Sequence, residues 1–493
     1  MQFVSSPSIP PAIPRSKPGR QRLWIFIALV PLTLLLMVMA VMLWYRLSND
    51  AAVRKLEARI KERGEPLTLT DLAARYPPIP DDENVAVLLM DLWEKEDPDF
   101  WKAFRAGVRP LPDRRSTQWH PDLPYLGRNA RHLARSNALA PSSLAATEAY
   151  VFSNQVHCAA IQSALRRRPK TRFQVQITDG FAALLPHLTS MKTDAQRVRL
   201  AALLAIEHGD VPGAVTGLQD VQRLADALNG PFLIDQLVRI AIHGMVLEDC
   251  ERLLSRQAAD ALSLTQIATL LESMQMTGAL KKALLSERAS SLSVYEMSAP
   301  ALMAINQSSD GSTEEPINPM HAQFGIKLIN LTGIVSADRR FMLEIMEEAV
   351  TLAGKNTPDF LPGFDRLFKR VGDEAMRFPP KLISAMVLPA LNKAAHKFAA
   401  MEAKRRAALT AIAVERHRLE HQGQLPKRLD ELVPKYLERV PEDPFDGQLL
   451  RFRALEKGFV VYSVGADRVD HQGRERPQKG TVKDYDETFF VER

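Results

Sequence analysis

The residue types that bind metals or move protons gather toward the C-terminal end of this chain. His417 and His421 stand four apart, which puts two imidazoles on one face of a helix in a metal-ligand geometry. Their neighbours Arg418 and Glu420, and their place opposite an apolar stripe through Ala408, Ile412 and Leu419, predict a solvated face instead. Further on, Asp467, Asp470, Asp484 and Asp486 offer carboxylate oxygens. Glu287 beside Arg288 and Glu415 beside Arg416 read as structural ion pairs rather than acid–base couples. HExxH, GxSxG, GxGxxG and P-loop motifs and zinc-spaced cysteine pairs are all missing from the sequence, so no catalytic or cofactor-binding residues are assigned and a non-catalytic role is expected.

Composition sets the frame that must hold those residues. With 493 residues, 46% hydrophobic and 25% charged, the chain is a folded protein of two or three packed units. The net charge of +6 is a small excess on a mixed surface. The run Arg166, Arg167, Arg168 and Lys170 lacks interleaved aromatics, so no nucleic-acid partner is expected. Cys158 and Cys250 read as small core residues, with a single disulfide between them as the alternative in an oxidising compartment.

The fold class expected is mainly α: an N-terminal transmembrane helix, a body of helical hairpins, and a small C-terminal α+β module. Apolar residues recur at helical steps in Ala214, Leu218, Val221 and Ala225, in Leu233, Leu237, Ile240, Leu247 and Leu254, and in Leu264, Ile267, Leu271 and Met274, giving each segment one buried face. His208-Gly209-Asp210 and Asn229-Gly230-Pro231 each offer a glycine for a left-handed helix end before the next helix starts. Leu203 to Leu228 resembles a single tetratricopeptide-like hairpin, but no 34-residue echo flanks it. The long helix that carries the histidines ends at Gly423, Asp446-Gly447 signals a turn, and two strands come after it, one half-buried around Leu450 and Phe452 and one buried from Phe459 to Val464.

In order, that block runs long helix, Gly423-x-x-Pro426, Leu429-Asp430-Glu431-Leu432-Val433-Pro434, Pro441-x-Asp443-Pro444-Phe445, a strand, then Tyr462-Ser463-x-Gly465-x-Asp467. It resembles the C-terminal part of type II secretion major pseudopilins, and it is similar to a group of large, uncharacterised, membrane-anchored bacterial proteins that carry this block after a long helical region. The resemblance implies a calcium loop at Asp467, for which Asp467, Asp470 and Asp484 are the metal candidates. The chain departs from the family: the glycines that come after the aspartate there are replaced by Arg468, Val469 and Asp470, and the apolar helix holds no glutamate.

From Leu23 to Tyr45 no residue is charged, and the run is about the length a helix needs to cross roughly 30 Å of hydrocarbon. Trp24 at one end and Trp44 with Tyr45 at the other suit the interfaces. Arg15, Lys17, Arg20 and Arg22 on the N-terminal flank predict a cytoplasmic N-terminus. The expected organisation is a disordered basic tail at 1–22, a membrane span at 23–45 that contacts lipid, membrane-proximal helices and a Pro- and Arg-rich connection at 46–142, a hairpin domain at 143–303, a polar linker at 304–320, a helical segment at 321–380, and the long helix with its module at 381–493. The function expected is an extracytoplasmic scaffold or binding protein of the cell envelope, held in the inner membrane and engaged with a protein partner, with a secretion or pilus-like assembly as its setting. The alternative is an envelope hydrolase whose site is assembled from distant residues.

Overall fold

A computed structural model describes residues 18–106, 122–126, 133–297 apart from 169, 275 and 277, then 330, 332–355, 360–375, 377, 381–477 and 484–493; at 18–28, 375 and 382 only the backbone is described. The expected polar linker at 304–320 lies outside these residues.

Helix α1 (Pro18–Glu62) takes in the expected span, Pro31 and the charged stretch after it without a break. From Leu29 onward it is long and apolar enough to cross a membrane, and none of its apolar window is buried. Its second half behaves differently: Val53, Leu56 and Ile60 pack with Leu67, Leu292 and Leu343. Helix α2 (Leu69–Ala74) starts with a reciprocal cap, in which Asp71 N–H donates to Thr68 Oγ1 and Thr68 N–H to Asp71 Oδ2, each at 3.0 Å. Helix α3 (Val85–Glu96) is capped by Asn84, whose side chain also donates to Arg172 O at 2.8 Å and accepts from Arg172 N at 2.9 Å. Helix α4 (Pro98–Arg105) comes directly after it. The connection expected between 106 and 142 is irregular where it is described, and its Leu123, Leu126 and Leu139 lie on Leu200 and Leu203 of the helical body.

The body consists of α5 (Pro141–Arg167), α6 (Pro186–Glu207), α7 (Val211–Ala227), α8 (Leu233–Arg256), α9 (Ala261–Ser273) and α10 (Ala279–Val294), then α11 (Ile334–Ala353), α12 (Phe360–Ala375) and the long α13 (Leu382–Glu420). The α6–α7 hairpin turns at Gly209, which has the left-handed φ of 75° that the sequence predicts. Gly230 corrects the same expectation. It is not left-handed; glycine is required there because a Cβ would lie 2.3 Å from the Asp235 carboxylate, which accepts from Phe232 N at 2.8 Å. Helix α8 also departs from the one-face reading, since Gln236, His243, Asp249, Arg252 and Ser255 are buried along with its leucines. Three members of the basic run find local partners, Arg166 on Asp220 at 2.8 Å, Arg168 on the Asp81 carbonyl at 2.6 Å and Lys170 on Glu83.

Three strands, not two, come after α13: β1 (Arg451–Ala454), β2 (Phe459–Ser463) and β3 (Glu487–Val491), antiparallel in the order β1-β2-β3. Strand β2 is buried throughout, as a central strand should be. One hydrophobic core runs from Val85 to Val491 and joins the body to this sheet. Cys158 and Cys250 are free thiols, so the alternative of a disulfide is corrected. Burial pushes the Cys158 thiol up to about 11 and raises that of Cys250, which keeps both protonated at neutral pH.

The apolar join between α1 and the body is reinforced by one buried guanidinium just beyond the helix. Arg288 of α10 is fully buried, donates to Pro66 O and to Glu65 at 3.0 Å each, and pairs with Glu347 of α11. Replacing it by methionine removes the buried partner of both acids and leaves them the more exposed Arg63. Arg288→Met is expected to lower the unfolding free energy by roughly 3–5 kcal/mol, read by chemical denaturation of the full chain in detergent, and an effect below about 1 kcal/mol would mean that the join is held by other contacts.

Candidate functional site

Strand β3 is an edge strand, so alternate backbone N–H groups point away from the sheet and need partners. Helix α8 supplies them. Phe490 N donates to Glu251 Oε1 at 2.6 Å and Glu492 N to Ser255 Oγ at 3.1 Å, two acceptors one helical turn apart serving amides two residues apart. The C-terminal residue continues the seam, with Arg493 Nε on Leu254 O at 2.6 Å and its guanidinium paired with Glu415 of α13. Arg135, from the irregular connection, stacks 4.4 Å above the Phe490 ring and pairs with Glu492 at 2.8 Å.

Beside this seam lies a cavity of about 430 Å³, lined among others by Tyr125, Arg199, Glu248, Glu251, Lys404 and Glu487. Its charges are answered within it or just behind it. Arg199 Nε meets Asp249 at 2.7 Å and its Nη2 meets Glu248 at 2.8 Å, while the guanidinium sits 3.6 Å from the Tyr125 ring. Arg252 pairs with Glu207 at 2.5 Å and donates to Ala134 O and Asn137 O. Lys404 lies 3.3 Å from Glu487. Burial, opposed by Arg135, the Phe490 amide and Lys404, pushes the Glu251 carboxyl up to about 7. A cavity whose cations and anions already pair is a device for holding a sheet on a helix, and it leaves little charge for a substrate.

The metal candidates divide. Asp467 and Asp484 come together, and their third partner is His471, with ligand atoms within 4.8 Å of one another. Asp470, expected in this set, is not in it: its Oδ1 accepts from Gln472 N at 2.7 Å. Asp486 accepts from the amides of His471, Gly473 and Arg474. The sequence reading missed His471, although it stands four residues after Asp467, and its Nε2 lies 2.9 Å from Asp467 Oδ2. An imidazole with two carboxylates suits a zinc-class ion better than calcium, which takes six to eight oxygens.

The other histidine pair is corrected in one member, since His421 is exposed as expected. His417 is buried rather than solvated; it stacks on His421 at 3.9 Å and packs edge-on to Tyr436 at 5.7 Å. Leu419, placed by pattern in the apolar stripe, is about half exposed. The adjacent pairs do not form as expected either: Arg288 turns to Glu65 and Glu347, and Glu415 turns to Arg418 and Arg493. Arg416 donates instead to Thr265 Oγ1 at 3.2 Å.

The motif residues that carry the pseudopilin resemblance have structural partners. Asp443 is fully buried and accepts from Phe445 N at 2.9 Å, Ser463 Oγ at 2.7 Å, Val464 N at 2.9 Å and Arg451 Nη1 at 2.7 Å, so the aspartate of one motif binds the serine of the next. In comparisons with known proteins, no family model matches this chain, and no curated protein and no solved structure is significantly similar to it.

The geometry can be probed at both places. Because the folded Glu251 holds its proton up to about pH 7, whereas an unfolded glutamate loses it near pH 4.5, its contribution is full in acid and is lost as pH rises through 7. Glu251→Gln keeps an acceptor for Phe490 N, so its melting midpoint relative to the parent should improve from pH 5 to pH 8; a pH-independent difference would contradict the assignment. For the Asp467–His471–Asp484 set, zinc is expected to raise the melting midpoint more than calcium at equal concentration, and the gain should vanish in His471→Ala.

Proposed function

We propose that this chain is a non-catalytic scaffold or binding protein of the bacterial cell envelope, anchored by the apolar half of α1, with its N-terminus in the cytoplasm and its helical body outside. The observation that carries this reading is the division of one unbroken helix: unburied, among the described residues, through its apolar half, packed into the body through its charged half. A helix apolar on all sides with no protein around it is at home in lipid. The anchor and the body are then one piece, which suits a part that holds a partner at a fixed place.

Two further observations support a binding role. The chemistry-bearing side chains of the C-terminal seam are engaged with one another, and the free cysteines are protonated and inert. A long helix ending in a three-stranded antiparallel sheet, with the motif order of the pseudopilin block, supports a link to a secretion or pilus-like assembly.

In-cell crosslinking of the tagged full-length protein, with purification and mass spectrometry of the products, tests the proposal. One reproducible envelope partner is expected, recovered from the membrane fraction, and removal of residues 1–45 should release the protein from that fraction. A partnerless protein, or one that hydrolyses an envelope substrate and loses turnover on Glu251→Gln, would overturn the scaffold reading.

A further inference from the structure

The body carries another concavity, of about 520 Å³, between the segment after α1 and the start of α10. Arg75, Tyr76, Arg172, Lys281 and Lys282 line it, and among the described residues no carboxylate does. In the C-terminal seam the cations meet acids; here four cations face one space. Two carboxylates stand behind the wall, and both are committed. Glu65 lies 4.0 Å from Lys281 but is held by Arg288 at 3.0 Å and Arg63 at 3.3 Å. Asp235 accepts from Phe232 N and lies 3.6 Å from His187.

The cations are held together rather than separated. The Arg172 guanidinium and the Lys282 ammonium share the ring of Tyr76, at 4.6 and 5.2 Å from its centre. Arg172 is placed by the Asn84 cap of α3, and its Nε is buried without a hydrogen-bond partner. Lys282 donates to Asn229 O at 2.6 Å and Arg75 to Gly64 O, so each is held by a neutral backbone carbonyl. Burial, then the charge of Arg172, depresses the Lys282 ammonium below the ordinary lysine range.

The start of α10 adds to this. Gly278 caps it with no side-chain hydrogen bond, no acid occupies the first turn, and Lys281 and Lys282 stand where the helix dipole favours negative charge. Around Gly278 the space is open, since a Cβ there would meet nothing within 4 Å. Four cations and a positive helix end around an open cleft repel one another until an anion enters.

We propose that this cleft binds a phosphate-class oxyanion, with Arg172, Lys281 and Lys282 as its charged donors beside the first turn of α10 and Arg75 at the rim. The source is a soluble ligand. From Tyr45 to Glu62 the helix rises roughly 25 Å at about 1.5 Å per residue, which puts the cleft well beyond the headgroups of the anchoring membrane. The assignment of source rests on the anchor reading; the binding does not.

The test uses the full-length protein in uncharged detergent micelles, titrated with sodium pyrophosphate at constant ionic strength and monitored by calorimetry and by melting midpoint. Saturable binding with a raised midpoint is expected, weakened roughly tenfold or more by Arg172→Gln and by Lys281→Gln. Lys281→Gln also controls for folding: it removes a cation from a helix N-terminus, so its midpoint without ligand should be unchanged or higher while its affinity falls. No saturable binding, or binding that neither variant weakens, overturns the site. In a second arm, affinity is compared in nanodiscs of phosphatidylcholine and of phosphatidylglycerol. Equal affinity supports the soluble source, because the field of a lipid surface fades over a Debye length of about 8 Å at physiological salt, and competitive loss in phosphatidylglycerol would put a headgroup in the site instead.

Discussion

The fold is organised around the need to satisfy charge buried along α8. Asp249 and Arg252 of that helix are among the least exposed residues of the chain, and a buried ion without its partner costs several kcal/mol. Their partners come from separate places: Arg199 and Glu207 from α6, Tyr125 and the carbonyls of Ala134 and Asn137 from the irregular connection. A segment that is irregular among its described residues is thereby fixed, and it brings Arg135 to the edge of the sheet. One face of α8 thus holds the connection while the residues beside it, Glu251 and Ser255, hold β3. The module is positioned by polar bonds as much as by the apolar core beneath it.

Legibility in the sequence depends on which interactions are local. The mainly helical class, the hairpin at Gly209, the cap at Gly423 and the buried β2 were readable because periodicity and left-handed turns act over a few residues. The third strand was not. Glu487–Val491 is five residues long and more than twenty residues after β2, so only its register with β2 makes it a strand. The charge partners were not legible either. Arg288 stands next to Glu287 in the chain, yet its acids are Glu65 and Glu347, from the segment after α1 and from α11. Adjacent residues on a helix point about 100° apart, so neighbours in sequence are poor guides to ion pairs.

The candidate site was half legible for the same reason. Asp467 and Asp484 were identified by residue type, but type alone put Asp470 in the set and left His471 out. What separates them is turn geometry: Asp470 spends its carboxylate on the amide two residues on, as aspartates in turns do. The basic cleft left no pattern at all. Its cations sit at 75, 172, 281 and 282, on segments far apart in the chain that the apolar contacts of Leu72, Ile177 and Ala289 and the bonds of Asn84 and Tyr76 bring together.

With the apolar half of α1 as the anchor, the continuity of that helix has a consequence for orientation. A helix fixes the azimuth of the domain attached to its end, because each residue turns the chain by about 100° and lifts it by about 1.5 Å. Which side of the body faces along the membrane plane is therefore set by the number of residues between the last lipid-facing turn and Arg46, whose backbone already lies against Gly333. The length of this stretch acts as a phase angle, and a single residue inserted ahead of Arg46 would swing the cleft and the C-terminal sheet to another bearing without altering a contact inside the body.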